Sequence, residues 1–423
     1  MPGHKGNLHL GFEHLDITEI DGADVLYSAN GIIAESQHNA SQLFGTAKTL
    51  YSCEGSSLAI RAMLYLAKLC SHTQSNTILA SRNAHKTFIS GVALLGLDVE
   101  WLYDENAIGI LACKITPAML RAKLKAMEEK PLAFYVTSPD YLGNIADIKG
   151  LSQVCKEENI LFLCDNAHGA YLAFTEENTH PIALGADICC DSAHKTLPVL
   201  TGGAYLHISK NAPYNMVENA QRAMALFAST SPSYLIMQSL DNANVYLSNG
   251  YTEKLHKSIN NGNALKKKLT AHGYTICGHE GLKLTIAPKS YGYTGKELSE
   301  YLASNNIICE FCDPDYTVLM FTPENDDITL GIIEKALLSL PKKDAISEAA
   351  PQLKIPEKTI SPRDAIFSEA ETINVASATG RVLASETVSC PPAIPVVVCG
   401  EKINESAIKL FSYYGIKNVT VIK

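Results

Sequence analysis

Short apolar runs alternate with helical patterns along the first two-thirds of the chain. The runs are rich in Ile, Leu, Val, Phe and Cys and show little polar alternation, which is typical of strands covered on both faces. The predicted strands are Thr77–Ser81, Leu132–Thr137, Ile160–Cys164, Ile188–Cys190 and Ala204–Ile208. Between them, apolar residues recur at helical spacing, as in Leu58–Leu69. This alternation predicts an α/β fold with a mostly parallel sheet and right-handed crossovers.

The last third of the chain carries a second, smaller α/β pattern. A helix-like stretch at Asn242–Leu269 leads into predicted strands at Leu282–Ala287 and Thr317–Phe321. The following stretch, Pro341–Pro362, is rich in Pro, Lys, Glu and Ser, which is typical of a linker. The predicted domains are a large one over 1–240, a small α/β one over 241–340, a linker over 341–362 and a C-terminal one over 363–423.

Composition and charge narrow the classes of function. The 423 residues are 46% apolar, enough for a sizeable core, and carry a net charge of −9. A global basic surface for nucleic acid is therefore absent, and no run approaches the roughly 18 apolar residues of a membrane span. The N-terminus lacks the apolar segment of a signal peptide. We expect a cytoplasmic protein that binds neither nucleic acid nor membranes.

The twelve cysteines fit a reducing compartment better than a disulfide framework. Several lie in strand-like runs, such as Cys164 and the pair Cys189–Cys190. Cys309 and Cys312 form a lone C-x-x-C, but zinc would need a second ligand pair, and the sequence offers none at a usual spacing. We therefore predict no metal.

The first chemical signal is DSAHK, which ends at Lys195 and follows a predicted strand. A lysine at a strand end can reach a cleft at the carboxyl edge of the sheet. Desolvation there favours its neutral amine, which attacks aldehydes. Ser192 in the same motif offers a hydroxyl to a phosphate oxygen. Taken alone, the motif fits a surface lysine beside a histidine better.

The second signal is DNAH, Asp165–His168, after another predicted strand. A carboxylate at the end of a buried strand needs a partner, and a pyridinium N–H is one. The carboxylate would keep that nitrogen protonated and make the ring an electron sink. An aspartate that caps the next helix is an equally good interpretation of Asp165.

The third signal is CEGSS, in which Gly55, Ser56 and Ser57 precede the predicted helix from Leu58. Backbone N–H groups and hydroxyls at a helix start bind phosphate well, although an ordinary serine N-cap is commoner. The order of the three motifs is more specific than any one of them. It predicts a phosphate site, a ring-nitrogen acid and an imine-forming lysine on one sheet edge, as pyridoxal 5′-phosphate (PLP) requires.

With further motifs, the sequence resembles the bacterial-type ornithine/lysine/arginine decarboxylase family, whose members are PLP-dependent and have the aspartate-aminotransferase-like fold. The motifs are PGHKG at Pro2–Gly6, DITEIDGAD at Asp16–Asp24, SRNAHKTF at Ser81–Phe88, TSPDYLGNIADI at Thr137–Ile148, CDNAHGAYLAF at Cys164–Phe174, GADICCDSAHKTLPVLTGGAYLH at Gly185–His207, STSPSYLIMQSLD at Ser229–Asp241 and GRVLASETVSCPPAIPVVVCGE at Gly380–Glu401. The last of these resembles the family's C-terminal domain. Since the chain begins at PGHKG, we expect the short form without the N-terminal wing domain.

The resemblance implies a role for each candidate residue. Lys195 is the Schiff-base lysine, Asp165 pairs with the pyridine nitrogen, and His85 stacks on the ring. The implied phosphate ligands and ring neighbours are Gly55, Ser56, Ser57, Ser192, His168 and His194. Glu54 departs from the family's pattern, and a carboxylate beside a phosphate is unfavourable unless it points away.

The resemblance also implies α-decarboxylation of lysine, ornithine or arginine to a polyamine-type amine. It implies a homodimer with shared active sites, in which Ser229 and Thr230 contact the phosphate of the neighbouring subunit. On sequence alone, this stretch fits a loop with N-cap residues for a helix from Tyr234 better. Other PLP reactions, namely transamination or β-elimination, and a non-catalytic regulatory paralogue are the alternatives.

Overall fold

The computed structural model describes residues 1–7, 9–103, 114–389 and 395–423. The CPPAI part of the predicted C-terminal motif, residues 390–394, lies outside the described residues. Within the described part, no helix combines the length and apolar character needed to cross a membrane.

A seven-stranded, mostly parallel sheet organises the first two-thirds of the chain. Its strands are β1 (Lys48–Ser52), β2 (Thr77–Ser81), β3 (Asp98–Leu102), β4 (Ala133–Thr137), β5 (Leu161–Asp165), β6 (Ile188–Asp191) and β7 (Ala204–Ile208), in the order β1-β7-β6-β5-β4-β2-β3. β5 is parallel to both β4 and β6, whereas β7 is antiparallel to β6 and to β1. The carboxyl ends of β5 and β6 therefore meet at one edge, where Asp165 and Asp191 are the last strand residues.

Helices precede, connect and follow these strands. They are α1 (Ile32–Leu43), α2 (Gly55–Cys70), α3 (Lys86–Leu95), α4 (Pro117–Ala126), α5 (Ile148–Glu158), α6 (Ala193–Thr196), α7 (Tyr214–Phe227), α8 (Tyr234–Ser248) and α9 (Tyr251–His272). In α2, apolar residues such as Met63 and Leu66 are fully buried while Lys68 is exposed, and the helix packs against β6, β7 and α7. This packing fixes the first turn of α2, which carries Gly55, Ser56 and Ser57.

The remaining elements form one antiparallel sheet and a set of short strand pairs. The sheet, in the order β10-β11-β9-β8, contains β8 (Thr275–Cys277), β9 (Lys283–Ala287), β10 (Phe311–Cys312) and β11 (Thr317–Met320), with helices α10 (Gly295–Ser304) and α11 (Asp327–Ser339). The pairs are β12 (Glu357–Lys358) with β16 (Glu401–Lys402), β13 (Ala370–Asn374) with β17 (Asn418–Ile422), and β14 (Thr387–Ser389) with β15 (Pro395–Val398), with helices α12 (Pro362–Ile366) and α13 (Glu405–Tyr414). Buried Val397, Leu410, Phe411 and Val421 share one core in this last region.

The chain divides into two compact units that each draw on separate stretches of sequence. The first contains residues 1–79, 116–138 and 147–253, and the second contains residues 80–115, 139–146 and 254–423. Every candidate site residue except His85 belongs to the first unit. The four-part domain division stays a prediction.

The predicted α/β class is confirmed, and the structure changes some element bounds. β2 and β7 have the predicted bounds, β5 begins and ends one residue later than predicted, and β6 extends by one residue, so that both end on an aspartate. The single helix predicted over 242–269 is wrong, because α8 ends at Ser248 and α9 begins at Tyr251. Gly250 between them has φ +72°, a left-handed conformation that breaks a helix. β1 and β3 were not predicted.

Candidate active site

Asp165 ends β5 with acceptor capacity to spare. Its side chain is 2% exposed, and its Oδ2 accepts a hydrogen bond from the Tyr135 hydroxyl at 3.0 Å. Its Oδ1 accepts from the Ala167 N–H at 3.1 Å and lies 3.6 Å from the Cys190 thiol. An ionised carboxylate has about four lone-pair sites. Asp165 can therefore accept a further hydrogen bond from a cationic ring N–H.

The helix-cap alternative for Asp165 is not what the structure contains. The next helical segment is the 3₁₀ turn Ala170–Phe174, and its N-cap residue is Gly169. The bond from Ala167 N–H instead closes a local turn two residues after the aspartate.

Sequence reasoning missed Tyr135, which is fully buried in β4. Burial raises the pKa of Tyr135 well above its ordinary value, and the Asp165 carboxylate raises it further. The hydroxyl therefore stays protonated and donates to Asp165. The tyrosine in the apolar run LAFYVT was a visible signal, but its partner follows only from the β4–β5 register, in which Thr137 is opposite Asp165.

The DNAH and SAHK motifs meet through one side-chain contact. Lys195 lies in the short helix α6, directly after β6, and is half-buried. Its Nζ is 3.0 Å from Nε2 of His168, which is 3% exposed and lies in the turn after β5. The two strand ends thus place an amine and an imidazole in hydrogen-bonding contact.

The predicted phosphate residues also come together from two motifs. The Ser192 hydroxyl donates to Ser56 Oγ at 2.8 Å, and Ser56 lies in the first turn of α2 with Ser57. Gly55 begins that helix at φ +68°, and its N–H donates to the Gly202 carbonyl at 2.7 Å. Two hydroxyls at the start of a 16-residue helix are a donor set that suits a phosphate.

Glu54 is directed at a neighbouring loop. Its side chain is exposed, and Oε1 accepts a hydrogen bond from the Ser229 N–H at 2.6 Å. Ser229 and Thr230 are both exposed, and α8 begins at Tyr234 with Ser233 as its N-cap residue. The structure therefore brings the Ser229–Thr230 loop to the residue that precedes α2 in the same chain.

The two remaining candidate histidines have local partners. The Nδ1 atom of His194 lies 3.0 Å from the Gly203 carbonyl, which also accepts from the His194 N–H at 3.2 Å. His85 is the N-cap residue of α3, and its Nδ1 accepts from the Thr87 N–H at 3.2 Å. His85 thus lies in a polar turn at the start of α3, while stacking of its ring on a cofactor stays a prediction.

Sequence reasoning also missed a cluster around Asp191. The Asn166 amide donates to Asp191 Oδ1 at 2.7 Å, and Oδ2 accepts from Nε2 of His180 at 3.0 Å and of His207 at 3.1 Å. The side chains of the aspartate and both histidines are at most 1% exposed. Burial opposes ionisation of Asp191, but the two histidines outweigh it and hold its pKa below the ordinary range. Burial lowers the pKa of His207, against the pull of Asp191.

The geometry of this cluster favours hydrogen bonds over a metal. The three residues have donor atoms close enough for an ion. However, Nδ1 of His180 accepts from the Ile182 N–H at 3.3 Å, so the proton of a neutral ring is on Nε2. That N–H donates to Asp191, whereas a metal would need the nitrogen without its proton.

Comparison with known proteins identifies the family of the chain. The family model for the Orn/Lys/Arg decarboxylase major domain matches residues 12–280, and the model for the C-terminal domain of the same family matches residues 344–419. Arginine decarboxylase of Bacillus subtilis (strain 168) is 28% identical over 442 residues, covering 96% of this chain and 88% of that protein. Arginine decarboxylase of Halalkalibacterium halodurans is 29% identical, covering 93% and 83%.

Solved structures show the same fold. Lysine decarboxylase A from Pseudomonas aeruginosa superposes with a TM-score of 0.81 at 16% identity, covering all of this chain and 78% of that one. The constitutive lysine decarboxylase of E. coli gives a TM-score of 0.77 at 18% identity, covering 100% and 79%. Because the major-domain model alone matches more than half of the residues, this chain belongs to the Orn/Lys/Arg decarboxylase family.

Proposed function

We propose that the protein is a PLP-dependent α-decarboxylase that converts lysine, ornithine or arginine to the corresponding amine and CO₂, with the cofactor held on Lys195. The observation that carries the proposal is the 3.0 Å contact between Lys195 Nζ and His168 Nε2, which joins the SAHK and DNAH motifs. Bound PLP would supply an electron sink for the electron pair left at Cα when CO₂ departs.

The donors and acceptors of the chain suit this cofactor group by group. Lys195 would form the imine with the aldehyde, and Asp165 would accept the ring N–H. The hydroxyls of Ser56 and Ser192, 2.8 Å apart, would bind phosphate oxygens at the start of α2. Ser57 would extend that site in the first turn of α2, and Gly55, whose own N–H is bonded to the Gly202 carbonyl, begins the helix there. His194 and His168 are the implied ring neighbours.

Tyr135 supports the proposed role of Asp165 as the partner of the ring nitrogen. The hydroxyl is a neutral donor, so it orients the carboxylate without cancelling its charge. An ionised Asp165 stabilises a protonated ring nitrogen, whereas a neutral amide at this position would not. The buried surroundings strengthen this effect because the local dielectric is low.

His168 and Lys195 are the groups placed to handle protons. With Nε2 unprotonated, His168 accepts a hydrogen bond from Lys195 Nζ and would stabilise the charged form of that amine. Departure of CO₂ leaves Cα in need of one proton. Lys195 is our first choice as its donor, and His85 is the alternative.

The proposed working unit is a homodimer with shared sites. Support comes from the first unit, where large apolar side chains before and within α1 are strongly exposed, including Leu10 at 73%, Ile20 at 56% and Ile32 at 60%. Such a concentration is typical of a protein interface. In a two-fold dimer, each subunit would offer Ser229 and Thr230 to the phosphate of the other.

Borohydride reduction and peptide mapping test the cofactor assignment. The PLP-loaded protein should carry the pyridoxyl group on Lys195, and Lys195→Ala should lose both the label and the near-visible absorption band. Lys210, which lies after β7, serves as the matched control through Lys210→Ala. Label on another lysine would refute the site, and a wild-type protein without the band would favour the regulatory paralogue.

Product analysis tests the reaction and its substrate. Lysine, ornithine and arginine are incubated separately with the loaded enzyme. One of them should give stoichiometric amine and CO₂, and a keto acid in place of CO₂ would indicate transamination instead.

Mixing two inactive variants tests the shared sites. Lys195→Ala is combined with the double variant Ser229→Ala/Thr230→Ala under conditions in which subunit exchange is verified. Mixed dimers should hold one intact site and recover part of the activity. If exchange occurs and the mixture stays inactive, the sites are not shared.

A further inference from the structure

Two motifs of the family resemblance contain charged residues for which the proposed function has no role. Arg82 belongs to SRNAHKTF, and Glu401 ends the C-terminal GRVLASETVSCPPAIPVVVCGE. They are 319 residues apart in sequence, and both belong to the second compact unit. The structure joins them as a bidentate ion pair, with Nη1 to Oε1 at 2.5 Å and Nη2 to Oε2 at 2.7 Å.

The pair is buried and has further partners. The side chains are 5% and 3% exposed. Arg82 Nη2 also donates to the Val396 carbonyl at 3.3 Å, and Glu401 Oε2 accepts from the Val398 N–H at 2.8 Å. The guanidinium lies 5.1 Å from the centroid of the Trp101 ring. A buried bidentate pair with these contacts has strict geometric demands, so it fixes the relative position of the segments it joins.

One of those segments carries His85. Arg82 precedes His85 by three residues, and its N–H donates to the Leu102 carbonyl at 3.3 Å. On either side of Arg82, Ser81 Oγ donates to Asn83 Oδ1 at 2.6 Å. His85 then begins α3 as its N-cap residue. The loop is thus held at Arg82, one short turn before the histidine.

The C-terminal region also holds the far end of α3. Arg363 Nη1 donates to the carbonyls of Ala93 at 3.2 Å and Leu94 at 3.1 Å, which are among the last carbonyls of that helix. Carbonyls in the last turn have no N–H partner four residues on within the helix, and Ala93 also accepts from the N–H of the C-cap residue Gly96 at 3.2 Å. The C-terminal region is therefore bonded to the loop before α3, through Arg82, and to the last turn of α3, through Arg363.

We infer that the C-terminal domain positions the His85 ring, and that Arg82 and Glu401 are the positioning residues through which it does so. The inference rests on the proposed function for its consequence, because His85 matters only if its ring contacts the cofactor. Neither Arg82 nor Glu401 touches a ligand in this proposal. The C-terminal domain acts on the site only by setting the position of the His85 ring. Breaking the pair should therefore disturb the His85 turn first and cofactor binding second.

Hydrogen exchange of the cofactor-free full chain measures the first effect. The Thr87 amide, bonded to His85 Nδ1, reports on the turn. In Glu401→Gln, exchange in the peptide 82–90 should be at least about 10-fold faster than in wild type, the change that about 1.4 kcal/mol of local opening produces. Asp98→Asn is the matched control, because it breaks an exposed ion pair with Lys358 that joins neighbouring segments of the same unit.

A second variant separates positioning from stability. Arg82→Met/Glu401→Leu removes both charges and leaves none unpaired, and such replacements often preserve or raise stability. It should fold, yet still show faster exchange over 82–90 and altered visible circular dichroism of bound PLP. A folded double variant with wild-type exchange and wild-type dichroism overturns the inference.

Combination with His85→Ala tests whether the effect runs through the histidine. Glu401→Gln should weaken PLP binding about 10-fold in the wild-type background and have little further effect beside His85→Ala, since residues that act through one contact are not additive. An equal loss of PLP affinity in both backgrounds would mean that the Arg82–Glu401 ion pair has only a structural role, and it would refute the inference. If wild type binds no PLP, the proposed function fails, while hydrogen exchange still decides whether the pair orders the turn.

Discussion

Asp165 and Asp191 end neighbouring strands of one sheet, each after an apolar run, and their surroundings differ. Asp165 accepts hydrogen bonds from the Tyr135 hydroxyl and a local backbone N–H, both neutral donors. Asp191 accepts from one amide and two imidazoles, and so its oxygens are occupied by fixed side chains. Asp165 can therefore accept a further hydrogen bond from a ligand, whereas the oxygens of Asp191 already accept hydrogen bonds from protein side chains.

The difference shows how a buried charge can serve function or architecture. A buried carboxylate must be paired or hydrogen-bonded. The cluster around Asp191 meets this need with residues from four places in the chain, and Asn166 connects it to the turn that carries both Asp165 and His168. Asp191 therefore stabilises the turn after β5, while the charge of Asp165 is available to a bound ligand.

The largest expected effect is on turnover in Asp165→Asn. An amide is nearly isosteric but does not stabilise a protonated ring nitrogen, so kcat should fall by about 10²-fold or more, as for other preorganised charges in active sites. The melting temperature should change little, because the amide oxygen can still accept from the Ala167 N–H and the amide NH₂ can donate to the Tyr135 hydroxyl oxygen. Steady-state kinetics with the preferred amino acid and a thermal melt measure both. Near-normal kcat would remove Asp165 from the role of ring-nitrogen partner.

Asp191→Asn should show the opposite balance. Its amide oxygen can still accept both imidazole N–H bonds, but its NH₂ then faces the Asn166 amide, another donor, and the charge is lost, which should cost about 2–3 kcal/mol of unfolding free energy. Turnover should fall less than in Asp165→Asn. Urea denaturation of both variants, side by side, makes the test.

The roles assigned to the two aspartates would be wrong if each variant showed the stability and turnover expected of the other. A stable Asp191→Asn with turnover as low as that of Asp165→Asn would place Asp191 in the chemistry. An unstable Asp165→Asn with normal turnover per folded molecule would make Asp165 the structural residue.

Tyr135→Phe sharpens the comparison with a smaller change. It removes the hydroxyl that donates to Asp165 Oδ2 and leaves the ring packed in β4. A hydrogen bond to a charged group contributes about 1.5–3 kcal/mol, so kcat should fall roughly 10-fold with KM nearly constant. Tyr205→Phe is the matched control, since Tyr205 is an equally buried strand tyrosine. Equal effects in the two variants would mean that only core packing is disturbed.

Much of this site was predictable from local sequence because its residues follow apolar strands. The DNAH and SAHK motifs stand at strand ends, and parallel strands bring such ends together. The Lys195–His168 contact agrees with that expectation. The break at Gly250 was also visible, since Asn249–Gly250 is a typical turn dipeptide, yet the helical pattern on both sides concealed it.

The missed partners depend on register and on long-range packing. Tyr135 meets Asp165 only because of how β4 and β5 align, and no local pattern states that alignment. His180 reaches Asp191 from an irregular segment, and His207 reaches it from β7, which is antiparallel to β6. Glu401 pairs with a residue 319 positions away. Contacts of this kind follow from the fold rather than from motifs.

The smallest predicted effect is the pH dependence of stability that His207 confers. Burial lowers the pKa of folded His207 below its ordinary value of 6.5, so the unfolded chain takes up a proton first as pH falls. The stability tied to neutral His207 is therefore complete above pH 6.5 and lost as pH drops from 6.5 toward the folded pKa, by at most about 1.4 kcal/mol per pH unit.

His207→Gln keeps an N–H near Asp191 but has no titrating ring, so its unfolding free energy should fall about 1 kcal/mol less than that of wild type between pH 7 and 5.5. Urea denaturation at the two pH values measures this, with exposed His38→Gln as the control for loss of one histidine. If His207→Gln and wild type lose the same stability over that interval, His207 is not the group that takes up the proton, and the neutral state assigned to it in the Asp191 cluster is wrong.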